Sequence, residues 1–228
     1  MNSVGIVIPC FNEGPGIPKL LEILSDSDLA GITFLLVDNG STDETARVLS
    51  EVDLPDNINT LRIEKNQGYG FGIITGLRGL RTDYVGWMHG DLQTSPLELL
   101  NFLEDIENEC DYTKGIRTGR PLFDRVFTFG MSALLSIMFM RLMKDINAQP
   151  NIIKKTLFEK WSNPPYDFSF DLYAYIFAMR NGNKISRRRV FFGRRDWGAS
   201  TWNSGMKSRL KFIKRTLKIA YSLRINNL

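Results

Sequence analysis

Three short loops carry the side chains of this 228-residue chain whose types and spacing could do chemistry. They are rich in carboxylate and amide groups, and one of them contains the chain's only histidine. Such side chains bind cations, hydrogen-bond polar ligands or act as acids and bases. The three loops are Pro9-Cys10-Phe11-Asn12-Glu13, Asp38-Asn39-Gly40-Ser41-Thr42-Asp43 and His89-Gly90-Asp91-Leu92-Gln93.

Each loop follows a short β-branched or apolar run, and the first half of the chain alternates such runs with helical patterns. This alternation is typical of an α/β fold with a mostly parallel sheet. The predicted strands are Val4 to Ile8, Ile32 to Val37, Asn59 to Ile63 and Asp83 to Met88. The predicted helices are Ile17 to Leu24, Thr42 to Val52, Tyr69 to Leu80 and Leu97 to Asn108. Ligands of open α/β sheets bind outside the carboxyl ends of the strands, so we expect the loops to converge on one site.

The second half of the chain contains two further helical patterns. Residues Phe127 to Met140 are nearly all apolar and lie between Arg125 and Arg141. Fourteen residues are too few to cross a bilayer, so this segment predicts a buried or interfacial helix. Met206 to Leu223 places apolar residues at helical spacing among lysines and arginines, which predicts a basic amphipathic helix. We therefore divide the chain into a globular domain, residues 1–205, and a C-terminal helix, residues 206–228.

Composition and charge narrow the class of protein. A content of 43% hydrophobic and 24% charged residues is that of a folded domain and excludes a disordered or fibrous chain. The net charge of +4 hides an asymmetry, because residues 184–228 carry 13 Lys and Arg against one acidic residue. This basic end predicts an anionic partner, either membrane phospholipid or nucleic acid.

The sequence also predicts where the protein is located. It has no stretch of 18 uncharged apolar residues, and its first residues lack the basic and apolar regions of a secretory signal. Cys10 and Cys110 form no metal or disulfide pattern. These features predict a cytoplasmic protein that does not span the membrane.

Four motifs resemble, in the right order, those of the inverting nucleotide-sugar glycosyltransferases of family 2. The first, second and fourth are the three loops, which resemble "VxIPxxNE", "VDDGSxDxT" and "DxDLQxxP". The third is Asn66 to Gly76, which resembles "NxGxGxAxxxG". The resemblance covers roughly residues 3–118. It implies the GT-A fold, a nucleotide-sugar-binding α/β fold with a mostly parallel central sheet flanked by helices, here with the C-terminal amphipathic helix added.

The resemblance also implies which residues bind the nucleotide-sugar donor. Asp38 would meet the edge of the base and Glu13 would lie near the nucleoside, while Asn39 replaces a second Asp and leaves the base preference open. The alternative for Asp38 is a simple strand-to-helix turn. Gly193 to Ser200 resembles the closing segment of the polyprenyl-phosphate branch of the family, which implies that Arg195 and Ser200 touch the donor diphosphate or order the loop across it. A solvated basic loop is the alternative for this segment. The full donor set implied is Pro9, Phe11, Glu13, Asp38, Gly68, Arg195 and Ser200.

The third loop stands where the family binds a divalent cation between the donor's phosphates. The implied metal ligands are His89, Asp91 and Gln93, and Asp91 is also expected to be catalytic. His89 replaces the first Asp of the family motif, and imidazole suits Mn²⁺ better than Mg²⁺. The alternatives are a structural histidine in a turn, with weak or absent metal binding, and a transferase-like fold that has lost its activity.

Beyond residue 115 the chain resembles the polyprenyl-phosphate sugar synthases more loosely. Arg117 and Arg125 are the implied ligands of an acceptor phosphate, and both are expected to be catalytic. Asp145 and Gln149 occupy family positions whose roles stay open. Asp171 is a further catalytic candidate as the base for a hydroxyl acceptor, with a helix cap as the alternative.

These observations predict a hexosyltransferase that moves a sugar, with inversion, from a nucleotide-sugar donor to a polyprenyl (dolichyl-type) phosphate. A phosphate attacks as an anion, so it needs cationic positioning and no general base. The protein would lie at the inner face of the membrane, bound peripherally to its anionic surface. The alternative acceptor is a hydroxyl of a lipid-linked or cell-surface glycan. A nucleic-acid-binding module is disfavoured, because no binding motif accompanies the basic charge.

Overall fold

The computed structural model describes residues 2–193 and 206–225, apart from the side chains of residues 123–124 and 206–212. One sheet within this part of the chain contains the strands β1 (Val4–Cys10), β2 (Ile32–Asn39), β3 (Ile58–Ile63), β4 (Tyr84–Trp87), β5 (Tyr112–Thr118), β6 (Asn151–Lys154) and β7 (Ile185–Phe191). The α-helices are α1 (Ile17–Leu24), α2 (Thr45–Glu51), α3 (Tyr69–Gly79), α4 (Leu100–Glu107), α5 (Leu122–Phe139), α6 (Lys155–Phe158), α7 (Phe170–Arg180) and α8 (Met206–Ile225).

The strands lie in the order β3-β2-β1-β4-β6-β5-β7. The first four strands, β1 to β4, pair with one another in parallel, and β7 is parallel to β5. Strand β6 is the exception, because it runs antiparallel to both β4 and β5. The predicted α/β fold with a mostly parallel sheet is therefore confirmed.

Helices cover both faces of the sheet and bury alternate side chains of each strand. In β1, Ile6 and Ile8 pack on one face, in a core shared with α1, α2 and α4. Val7 faces the other way, into a core shared with α3, α7 and the end of α8. Successive residues of a strand point to opposite faces, which is why these strands read as continuous apolar runs.

Two helices of the first half begin at residues other than those predicted. Helix α2 begins at Thr45 rather than Thr42, because the Asp43 carboxylate accepts from the Thr45 N–H at 3.0 Å and ends the preceding turn. The helix predicted from Leu97 begins with a 3₁₀ turn over Pro96–Leu99, and the Ser95 hydroxyl accepts from the Leu97 N–H.

Helix α5 begins five residues before the predicted apolar segment and exposes much of its apolar side. Leu122, Val126, Phe129 and Ile137 are all exposed, whereas Leu135 is buried. The structure therefore excludes full burial of this helix, and the interfacial environment stays a prediction. No helix in the described parts of the chain is long and apolar enough to span a membrane.

Candidate active site

A cleft of about 580 Å³ opens at the carboxyl ends of β1, β4 and β5. Of the residues predicted for the site, Asp38, Arg125 and Asp171 lie outside this cleft. Arg195 and Ser200 lie outside the described residues. The predicted residues that line the cleft are Pro9, Phe11, Glu13, Gly68, His89, Asp91, Gln93 and Arg117.

The first two loops are joined by hydrogen bonds to each other. Asn12 has a left-handed backbone, with φ of 56°, and its N–H donates to the Ser41 hydroxyl at 3.0 Å. Its side-chain oxygen accepts from the Thr42 N–H at 2.9 Å. The Glu13 N–H donates to the Thr45 hydroxyl at 2.9 Å. These bonds hold the Glu13 backbone at the cleft even though the bonded residues are about thirty positions apart in the chain.

Asp38 and Asn39 are neighbours in β2, so their side chains point to opposite faces of the sheet. Asn39 lines the cleft and donates from its side-chain amide to the Gly68 carbonyl at 3.0 Å. Asp38 lines a separate depression, where Arg62 lies 3.7 Å from its carboxylate. The residue that replaces the family's second Asp is thus the one that faces the cleft.

The third loop brings His89, Asp91 and Gln93 to the floor of the cleft, each half-buried. The Asp91 carboxylate accepts from the Gln93 N–H at 3.2 Å. Gln93 also donates from its side-chain amide to the Gly193 carbonyl at 3.2 Å. No group of three His, Cys, Asp or Glu side chains suited to a metal ion forms among the described residues. A cation here would therefore depend on the Gln93 oxygen and on oxygens of the substrate.

Two stacked aromatic rings, absent from the predicted site, form a wall of the cleft. Tyr69 and Phe168 lie 4.6 Å apart between centroids with nearly parallel planes, and Tyr69 lies 5.8 Å from His89.

The backbone of residues 165–167 passes very close to the start of α3. A Cβ on Gly68 would lie 2.3 Å from the Tyr166 carbonyl oxygen, and φ of Gly68 is 118°. Glycine is required there by both contact and conformation.

Arg117 is held by a carboxylate from a distant loop. Its backbone N–H donates to Asp145 at 2.8 Å and its Nε donates to the same carboxylate at 3.0 Å. Burial alone would raise the pKa of Asp145, but hydrogen bonds and charge from Arg117 hold that pKa below its usual value. The Arg117 guanidinium also lies 5.3 Å from the centre of the Phe192 ring. The role of Asp145, open in the sequence, is thus to orient Arg117.

An apolar groove of about 820 Å³ lies beside the cleft, and Arg117 lines both. Arg120 and Arg125 add positive charge to the groove. Its apolar walls come from α5 and the segment that follows, and they include Leu122, Val126, Phe129, Ala133, Ile137 and Leu142. The polar cleft and the apolar groove therefore share one cationic wall.

Comparison with known proteins gives the family. The family model described as Glycosyl transferase family 2 matches residues 5–153, more than half of the chain. This chain belongs to glycosyl transferase family 2. The family predicted from the four motifs is thereby confirmed.

Curated relatives of this family 2 chain carry undecaprenyl phosphate in their names. Undecaprenyl-phosphate 4-deoxy-4-formamido-L-arabinose transferase of Klebsiella pneumoniae (strain 342) is 28% identical over 147 residues, which cover 62% of this chain and 44% of that protein. The protein of the same name from Pseudomonas fluorescens (strain SBW25) is 30% identical over 146 residues, 62% of this chain and 42% of that protein. The chain thus spans less than half the length of either relative.

Solved structures match the family 2 chain over nearly its whole length. Glucosyl-3-phosphoglycerate synthase from Mycobacterium tuberculosis, in complex with Mn²⁺, UDP and glucosyl-3-phosphoglycerate, has a TM-score of 0.72 at 14% identity, covering 98% of this chain and 80% of that one. The same enzyme with Mn²⁺, UDP-glucose and phosphoglyceric acid has a TM-score of 0.72 at 15% identity, covering 96% and 80%. At these identities the likeness shows the fold, and it confirms the predicted GT-A fold.

A buried polar network behind the cleft contains Asp171. This carboxylate, in the first turn of α7, is 2% exposed and accepts from the Trp87 ring N–H at 2.8 Å. It also accepts from the Asn151 amide at 3.3 Å. Lys114, fully buried, donates to the Asn151 side-chain oxygen and to the Ala148 carbonyl, each at 2.7 Å. The network thus fixes the loop before β6.

That loop positions two walls of the site in the family 2 chain. Asp145, near its start, pairs with Arg117. Gln149, near its end, donates from its amide to the Tyr69 hydroxyl. Asp171 is separated from the cleft by this arrangement, so its position favours a structural role over that of a base.

Lys114 gives the stability of the protein a testable pH dependence. Burial lowers the pKa of Lys114 to about 7, from the usual 10.5. Between these values the unfolded chain binds a proton that the folded protein has released, so the free energy of unfolding rises with pH. Relative to Lys114→Met, the wild type should gain about 1 kcal/mol per pH unit in this range. Urea denaturation of both proteins at a series of pH values measures the difference, and a constant difference would contradict the prediction.

Tyr69, Phe168 and Arg215 line the cleft but were not predicted as site residues. Tyr69 lies inside a recognised motif, and its aromatic character next to glycines was the available signal. Phe168 belongs to the segment Phe168 to Asp171, which resembles a Phe-x-Phe-Asp segment of the family, and that resemblance was the available signal. Arg215 carries no local signal, because its place at the cleft depends on the packing of α8.

Proposed function

We propose that this chain is an inverting glycosyltransferase that moves a sugar from a nucleotide-sugar donor to a polyprenyl phosphate. The observation that carries the proposal is the position of Arg117, on the wall shared by the polar cleft and the apolar groove. A polyprenyl phosphate has the same two parts, an anionic head and a long apolar tail. The names of the curated relatives support the same acceptor class.

The proposed reaction is a single displacement at the sugar. A phosphate oxygen of the acceptor attacks the anomeric carbon of the donor sugar, and the bond from that carbon to the donor's diphosphate breaks. The nucleoside diphosphate leaves with the bonding electron pair, and the configuration inverts. The acceptor is already an anion, so no proton has to be removed and a general base is unnecessary. Arg117 orients the acceptor phosphate and offsets the repulsion between the two anionic substrates.

A divalent cation fits the third loop. Imidazole, carboxylate and amide oxygen are accepted ligands of Mn²⁺, and His89, Asp91 and Gln93 would hold it together with substrate oxygens. When bound, the cation neutralises charge on the leaving diphosphate. Structural neighbours crystallised with Mn²⁺ or Mg²⁺ and UDP support this proposal.

A transfer assay tests the proposed acceptor. Purified protein is incubated with a panel of radiolabelled nucleotide sugars, Mn²⁺ or Mg²⁺, and either undecaprenyl phosphate or a free oligosaccharide. We expect label on the lipid phosphate. Label on the oligosaccharide alone would replace the proposed acceptor with a hydroxyl.

We propose that the protein reaches such an acceptor by binding peripherally to the anionic inner face of the membrane. Helix α5 exposes Leu122, Val126, Phe129 and Ile137 on one side, with Arg125 exposed among them. Exposed apolar side chains beside basic ones are typical of a helix that lies at a lipid interface. The described part of α8 adds exposed cations, including Lys218 and Arg224.

Charge removal from α8 should weaken membrane attachment. At about 1 kcal/mol for each basic residue near an anionic surface, the double variant Lys218→Ala and Arg224→Ala should bind vesicles roughly thirtyfold more weakly. Sedimentation with vesicles of anionic phospholipid measures this, and binding of the wild type should fall in high salt.

The matched control removes two exposed arginines outside α8, Arg78 near the end of α3 and Arg81 just after it, by the same substitution to alanine. This control should bind vesicles like the wild type. Equal binding of the wild type to neutral and anionic vesicles would overturn the electrostatic account.

A further inference from the structure

Helix α8 is docked firmly onto the globular body. Ala220 is fully buried and Leu223 nearly so, both in the core that includes α7. Arg180 of α7 donates from its guanidinium to the Leu223 carbonyl at 2.7 Å, at the end of α8. Thr216 is also buried, and it lines a small cavity next to Arg117. This packing fixes the register of α8 and the direction of its other side chains.

The register of α8 directs Arg215 to the cleft. Its Nε lies 3.4 Å from the Asp167 carboxylate, and its guanidinium lies 5.5 Å from the centre of the Phe168 ring. Phe168 in turn stacks on Tyr69, the ring next to His89. Arg215 is therefore part of the wall of the candidate site and does not belong to a solvent-facing tail.

The charge of the cleft and of its expected substrates indicates what Arg215 does at this position. The cleft-lining residues in the described ranges include three carboxylates, those of Glu13, Asp91 and Asp167, and two guanidinium groups, those of Arg117 and Arg215. A donor diphosphate and an acceptor phosphate bring several negative charges into the same space. Cationic side chains must offset that charge, and a guanidinium matches phosphate oxygens with paired donors.

We propose that Arg215 binds phosphate oxygens of a bound substrate, so that α8 completes the active site when it docks. This inference rests on the proposed function and deepens it, because it gives the basic C-terminal helix a role in substrate binding as well as in membrane attachment. Asp167 and Phe168 are the residues that orient the guanidinium.

The test compares Arg215→Ala with Lys214→Ala, which removes the same charge from the adjacent, exposed position of α8. Calorimetric titration with inorganic pyrophosphate in the presence of Mn²⁺ probes the donor's diphosphate, and the KM for undecaprenyl phosphate probes the acceptor. We expect Arg215→Ala to weaken one of these at least tenfold relative to Lys214→Ala, and Arg215→Lys to restore part of the loss. Weaker pyrophosphate binding would assign Arg215 to the donor, and a raised KM alone would assign it to the acceptor.

Vesicle binding separates this role from membrane attachment, because Arg215→Ala should bind anionic vesicles no more weakly than Lys214→Ala. If Arg215→Ala matches Lys214→Ala in pyrophosphate affinity and in KM, the inference is wrong. If the wild type binds pyrophosphate through Arg215 but transfers no sugar to polyprenyl phosphate, the proposed function fails and the role of Arg215 stands. Thermal unfolding of each variant shows whether α8 is still docked.

Discussion

Replacing Arg117 with alanine is expected to lower sugar transfer to undecaprenyl phosphate by about a hundredfold or more, with little change in donor binding. Removing one preorganised donor to a charged reacting group has an effect of this size. Arg117 is the cation shared by the cleft and the apolar groove, so its loss should act mainly on the acceptor. Initial rates at varied acceptor concentration, with donor binding measured separately, give the two effects.

The Arg117→Ala variant requires a control, because it leaves the buried carboxylate of Asp145 without its partner. Asp145 is 8% exposed, and an uncompensated carboxylate there would destabilise the fold by about 3 kcal/mol. The double variant Arg117→Ala and Asp145→Asn removes that charge, so it should recover stability without recovering transfer. Arg117→Lys keeps the charge but loses the paired donors, and it should recover part of the activity.

Asp171→Asn decides between the two acceptor classes. The Asn side-chain oxygen can still accept from Trp87 and Asn151, so we expect a mild effect on transfer. If Asp171→Asn abolishes transfer while Arg117→Ala does not, the acceptor is a hydroxyl and Asp171 acts as its base.

Replacing Asp91 with alanine should abolish turnover with either Mn²⁺ or Mg²⁺. Asp91 is the carboxylate that the third loop brings to the floor of the cleft, between His89 and Gln93. Without it, a cation would keep only one imidazole and one amide oxygen from this loop. Steady-state transfer rates with each metal measure the loss, and the same substitution at the exposed Asp53 should leave them unchanged.

His89→Asp tests the metal assignment more finely. A carboxylate favours Mg²⁺ relative to imidazole, so the ratio of activity in Mg²⁺ to that in Mn²⁺ should rise. An unchanged ratio and unchanged activity would show that His89 is a structural histidine. A wild-type protein that turns over no nucleotide sugar with either metal would instead favour a transferase fold that has lost its activity.

The first half of the fold could be predicted from sequence because its signals are local. Strands such as β2 are covered on both faces and read as unbroken apolar runs, and helix α1 was predicted with its observed bounds, Ile17–Leu24. The second half lacks such signals. Strand β6 has four residues, and β7 contains three consecutive arginines that conceal it. Arg188 is accommodated there because it pairs with Asp105, at 2.6 Å, and that residue lies 83 positions away in the chain.

The same distinction applies to the site. Sequence alone determined the family, the GT-A fold and the loops that line the cleft, because turn and motif residues act on their immediate neighbours. Only the tertiary structure decided that Asn39 rather than Asp38 faces the cleft, that Asp145 orients Arg117, and that α8 brings Arg215 to the site. Each of these placements depends on which face of the sheet a side chain occupies, or on the packing of segments that are distant in the chain. Such contacts form only when the whole sheet and its covering helices are assembled.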